Sequence, residues 1–164
     1  MTSPMPVVSN TSPILNLAII GQLNWLRQQF GTIQIPPAVL DELKVDDDRP
    51  GSPLIRAALI DGWLQVQPLG DTKIAQLLRQ TLDVGEAEAI ALALERHAEW
   101  ILLDERDGRK AAKSLGLQVT GVLGVLLRAK ASGEVISLAP AIHDLAHKAG
   151  FRLAPELVER ILET

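Results

Sequence analysis

Short apolar runs alternate along the chain with longer segments whose apolar residues recur every three to four positions. The first kind reads as strand, the second as helix. Residues 6–9 (PVVS) open as a short strand, and Ser12-Pro13 then supplies an N-cap followed by proline at the first helical position. An apolar helix is expected from there to Ile20, stopped by Gly21, and a second around Leu23, Trp25, Leu26 and Phe30. Residues 32–35 (TIQI) alternate as a strand, and Pro36-Pro37 begins a helix through Leu43. Residues 44–52 (KVDDDRPGS) form a polar loop before a helix at 53–60 and a strand at 63–66. Helices follow at 72–81 and 85–97. Residues 100–103 (WILL) are the most strand-like run, succeeded by a helix at 105–115 and a last strand at 117–119. Helices at 122–131, 138–148 and 155–162 complete the chain. Strands that alternate with helices predict a mostly parallel sheet covered on both faces, a three-layer α/β/α sandwich.

Composition narrows this little. The 164 residues suit one domain over 1–164, and 47% hydrophobic content with only 3% aromatics fits aliphatic helices on buried parallel strands. Without cysteine there is no disulfide framework or thiolate metal site, which fits a reducing cytoplasm. Residues 1–6 lack the basic and apolar regions of a signal peptide, and no apolar run is long enough for a membrane helix. A net charge of −4 argues against generic nucleic-acid affinity, so any such surface must be local.

In parallel sheets, ligands bind beyond the carboxyl ends of the strands, and there the chain is polar. The first strand runs into Asn10-Thr11-Ser12, the second into a helix bearing Asp41 and Glu42. The central helix opens Asp83-Val84-Gly85-Glu86-Ala87-Glu88, and the strongest strand ends at Asp104, with Asp107 three residues on. Carboxylates gathered at one sheet edge repel, and a hard divalent cation such as Mg²⁺ relieves that repulsion. Each residue also has a plainer reading. Asp104 with Asp107, and Asp83 with Glu86, have capping-box spacing; Ser12 is a cap; Glu42 is a solvated helix residue.

The opening Val7-Val8-Ser9-Asn10-Thr11-Ser12-Pro13-Ile14, the helix Gly85-Glu86-Ala87-Glu88-Ala89-Ile90 and the strand end from Trp100 to Asp104 and Asp107 together resemble PIN domains. The tail from Ala149 to Leu157 is similar to a bacterial PIN-like subfamily with an uncharacterised-domain label. The resemblance implies a Mg²⁺- or Mn²⁺-dependent endoribonuclease, often the toxin of a toxin–antitoxin pair with a small antitoxin protein as partner. It assigns catalytic roles to Asn10, Glu42, Glu86 and Asp104, metal ligation to Asn10, Glu86, Asp104 and Asp107, and a supporting hydroxyl to Ser12. Asn10 departs from the usual Asp: an amide oxygen can ligate Mg²⁺ but brings no charge. The competing reading is a weakened module that binds RNA or a protein without cleaving.

Arg106, Arg109, Lys110 and Lys113 fall on one face of the helix after Asp104, a candidate RNA-phosphate stripe that Arg128 and Lys130 would extend; its plainer reading is a solvated face. His143 and His147 have zinc-helix spacing but no third ligand, and Gly121 and Gly124 lack the rest of a dinucleotide loop. A receiver-like phosphoacceptor would need a lysine after the last strand, and Val119-Thr120-Gly121 offers none. Leu17, Ile20, Leu23, Leu26 and Leu59 give more apolar helix surface than one small core needs, and predict a homodimer.

Overall fold

The structure, a computed structural model, describes residues 5–163. The reading of residues 1–4 as part of a leaderless N-terminus lies outside them. Five parallel strands, β1 (Val7–Ser9), β2 (Ile33–Ile35), β3 (Leu64–Val66), β4 (Trp100–Leu102) and β5 (Val119–Thr120), stand in the order β3-β2-β1-β4-β5. The chain builds outward from β1 to β3, then crosses back to lay β4 on the other side of β1. The boundary between β1 and β4 is therefore the topological switch point, where loops diverge and leave a crevice at the carboxyl edge. Register is set there by Val7 opposite Trp100, Val8 opposite Ile101 and Ser9 opposite Leu102.

Alternation along the strands divides two cores. Val7 and Leu102 point into one, with Ile14, Leu17 and Leu26 of α1 (Thr11–Ile19) and α2 (Asn24–Phe30). Val8 and Ile101 point into the other, with Ala89, Ile90, Leu92 and Ala93 of α6 (Val84–Arg96). The first face also carries α4 (Ser52–Asp61), α8 (Val122–Ala131), α9 (Ala139–His147) and α10 (Pro155–Leu162). The second carries α5 (Lys73–Leu78) and α7 (Arg106–Ser114), while α3 (Pro37–Leu43) packs against both α1 and α6. The three-layer sandwich expected from the alternation of elements is present, and the sheet is wholly parallel.

Two expectations change. Ser12 does not cap α1: the helix starts two residues earlier, with Asn10 in the N-cap position and no side-chain capping bond. And Leu17, Ile20, Leu23 and Leu26 are buried within this chain, with Leu59 packed on the same core. Helices on one face absorb most of that apolar surface into the core of the chain itself. Among the described residues no helix is long and apolar enough to cross a membrane.

Candidate active site at the carboxyl edge of the sheet

Asn10 leaves β1 with its N–H bonded to the Leu102 carbonyl of β4 at 2.9 Å, so it lies beside the chain that runs on to Asp104. Asparagine is among the best capping residues, yet here its amide oxygen caps nothing. Asn10 is buried, and Oδ1 has no hydrogen-bond partner. A buried acceptor left unpaired costs about 1–3 kcal/mol, so it marks either strain or a ligand position.

Asp104 sits two residues past the end of β4. Its Oδ2 accepts from the Ser12 hydroxyl at 2.8 Å, which in turn accepts from Asn16 Nδ2 at 2.9 Å. Its Oδ1 accepts from the Val122 N–H at 2.8 Å. The carboxylate therefore caps α8 across the sheet, while Glu105 occupies the N-cap of α7 without a side-chain bond. The plainer reading, with Asp104 capping its own helix and Asp107 as box partner, does not hold. Gly121 allows the approach: a Cβ there would lie 2.5 Å from Asp104 Oδ1. Burial pushes the Asp104 pKa up, and the Val122 N–H, the Ser12 hydroxyl and the Arg109 guanidinium pull it partly back.

Asp83 does cap its helix, accepting the Glu86 N–H at 2.8 Å. Glu86 is 3% exposed, and its Oε2 is buried without a partner. Gly108, in the first turn of α7, makes room for it, since a Cβ there would stand 2.5 Å from that oxygen. Burial first, then the adjacent Asp83 carboxylate and the charge of Glu105, push the Glu86 pKa up to about 7; the Asp83 backbone opposes this. Glu42 accepts from the Thr11 hydroxyl at 2.6 Å, and its other oxygen presses on Gly85 of α6.

Each carboxylate is thus fixed by a neighbouring element: Thr11 and Ser12 of α1 hold Glu42 and Asp104, Glu42 lies against Gly85 of α6, and Glu86 lies against Gly108 of α7. Asp107 is exposed and faces a different hollow, lined with Thr81, Leu82, Lys110, Ala111 and Ser114. Glu42 also borders a separate hollow with Asp41, Lys44, Val84 and Glu88. The tight carboxylate group among the described residues is instead Asp83, Glu86 and Glu105, with one oxygen of each within 4.8 Å of the others. Glu105 drew no notice in the sequence because a single glutamate before a helix has no distinctive spacing. Gly85 and Gly108 had a readable signal, since glycine inside a helix costs about 1 kcal/mol against alanine and invites a packing reason.

Beside Asp104, a hollow of about 460 Å³ is lined by Arg106, Arg109, Lys110 and Lys113, the expected basic stripe. Arg109 also donates to the Leu103 carbonyl at 2.9 Å, which holds it at the strand end. The Arg128 guanidinium lies over the Trp100 ring at 4.7 Å and the Phe30 ring at 5.4 Å, and it donates to Thr120 Oγ1 at 3.2 Å. The rings of His143 and His147 stack on each other at 4.0 Å on α9.

The donors fit a hard divalent cation. Two buried oxygens, Asn10 Oδ1 and Glu86 Oε2, lack hydrogen-bond partners, and oxygen is the donor that such ions take.

Among solved structures, a PilT N-terminus domain protein from the hyperthermophilic archaeon Sulfolobus solfataricus P2 is similar to this chain. It superposes with a TM-score of 0.53 at 22% identity over 76% of this chain and 93% of that one, a likeness of fold. No curated protein sequence matches significantly. The family model DUF3368, a PIN domain, matches residues 6–164. Because that match runs through every strand and helix rather than through one motif, the chain belongs to the PIN-domain family, whose fold is of nuclease type.

Proposed function

We propose that this protein is a Mg²⁺- or Mn²⁺-dependent endoribonuclease of the cytoplasm. Two observations support the reading: Asn10 and Glu86 carry buried side-chain oxygens without partners, and Asp104 shares a hollow with the basic residues of α7. A divalent cation held by Asn10, Glu86 and Asp104 would supply Lewis acidity, lowering the pKa of a water and offsetting charge on the phosphate. The chain's own residues do the rest. Ser12 and the Val122 N–H fix the Asp104 carboxylate in one orientation, and Thr11 does the same for Glu42. Arg106, Arg109, Lys110 and Lys113 bind successive phosphates of a single strand and lead it to Asp104. Asp107, on another aspect of α7, is at most an outer contributor.

The reading includes a toxin role, with a small antitoxin protein that lays a helix near the site and places a basic side chain among the carboxylates. Co-purification of the product of a small adjacent reading frame, with loss of cleavage in the complex, tests that part. The second reading, RNA or protein binding without cleavage, draws on the neutral Asn10.

One assay separates the two. Single-stranded RNA is incubated with the protein and Mg²⁺ or Mn²⁺, beside Asp104→Asn. Metal-dependent cleavage by the parent and its loss in the variant are expected. Salt-sensitive RNA binding by both, without cleavage by either, would establish the binding module and remove the nuclease.

A further inference from the structure

We propose that Asp83, Glu86 and Glu105 form a divalent-cation site of their own, at the junction of the first turns of α6 and α7. One oxygen from each lies within 4.8 Å of the others, a spacing that one ion can span. Independently, Glu86 is 3% exposed with Oε2 unpartnered, and that oxygen abuts Gly108, in the turn that Glu105 leads.

Capping accounts for only one of the three. Asp83 spends Oδ1 on the Glu86 N–H, whereas Glu105 stands at the N-cap of α7 and makes no capping bond. None of the three takes part in an ion pair among the described residues. The positive ends of two helices draw carboxylates here and work against a cation, but three carboxylates within a few ångströms outweigh two partial charges. The donors are all hard oxygens, and Asp83 and Glu105 are exposed, so coordinated waters have room. That chemistry takes Mg²⁺, Mn²⁺ or Ca²⁺ rather than zinc or copper. The ion would fasten α6 to α7 and hold the Glu86 side chain between the two helices. The site shares Glu86 with the proposed nuclease centre but needs neither Asn10 nor Asp104.

Mn²⁺ binding to the full chain, followed by electron paramagnetic resonance and calorimetry without RNA, tests the proposal. Asp83→Asn keeps a good N-cap while removing charge, and Glu105→Gln removes charge where no cap exists. Each should weaken one Mn²⁺ equivalent about tenfold, with metal-free melting temperatures at or above the parent's. Asp104→Asn should leave that equivalent in place. Parent-like Mn²⁺ binding by both Asp83→Asn and Glu105→Gln would overturn the proposal, as would loss of the same equivalent in Asp104→Asn. Failure of every form to cleave RNA would remove the nuclease reading and leave this one standing.

Discussion

The Ser12 hydroxyl donates to Asp104 Oδ2 at 2.8 Å, joining positions 92 residues apart across the boundary of β1 and β4. Ser12 sits in the first turn of α1 and is itself held by Asn16, so its position follows from the helix. Because the bond favours the carboxylate form, Ser12→Ala should push the Asp104 pKa further up and move the acid limb of RNA cleavage to higher pH. A hydrogen bond to a charged group contributes about 1.5–3 kcal/mol, which sets the expected loss of stability in urea. Ser12→Thr should restore both. An unchanged pH profile in the alanine variant would mean that Asp104 is not the titrating group.

Asn10 lies buried with an idle acceptor, so a carboxylate in its place has two opposed effects. Without metal, Asn10→Asp buries a charge near other carboxylates and should destabilise the fold. With Mg²⁺ the added charge should strengthen binding by about tenfold, or ~1.4 kcal/mol. Melting temperatures in chelator and in saturating Mg²⁺ should therefore spread further apart than for the parent. Equal spreads would place the metal away from Asn10.

Gly108→Ala separates site geometry from stability. Its Cβ would stand 2.5 Å from Glu86 Oε2, so the buried carboxylate must move. Overpacking costs about 1–3 kcal/mol, while alanine in a helix returns about 1 kcal/mol. A stability change within ~2 kcal/mol is expected, together with at least tenfold lower cleavage. Full cleavage activity in this variant would show that the Glu86 position does not matter.

Glu86 also gives stability a pH dependence of unusual sign. Its folded pKa, about 7, lies above the ordinary value of 4.5, so between these pH values the folded state binds more protons than the unfolded one. Stability must then fall as pH rises through that window, by on the order of 2–3 kcal/mol. Asp104, also pushed up by burial, adds a fall of the same sign. Denaturant titrations from pH 5 to 8 in chelator should show the decline, Glu86→Gln should flatten most of it, and Mg²⁺ should reverse it. A stability that rises with pH in chelator would contradict the buried placement of Glu86.

The order of elements was legible because it rests on local rules. Alternation marked β2, Pro36-Pro37 marked the start of α3, and Gly21 marked the stop after α1. The α6 cap at Asp83 was legible for the same reason, since both partners lie within four residues. The polar residues at Asn10, Glu42, Glu86 and Asp104 stood out as candidates because a parallel sheet has only one edge where ligands bind.

What each of those residues does was a matter for the tertiary structure. Ser12 read as a cap and became the donor to Asp104; Asp104 read as the cap of α7 and became the cap of α8. Leu17, Ile20, Leu23 and Leu26 read as surplus surface until helices from the far end of the chain covered them. Glu105 joined a carboxylate group only when α7 was laid beside α6. A hydrogen-bond acceptor or an apolar face is fixed in kind by its residue, but its partner is chosen by which strands adjoin. Here the crossover that sets β4 against β1 brought together residues that the chain keeps some 90 positions apart.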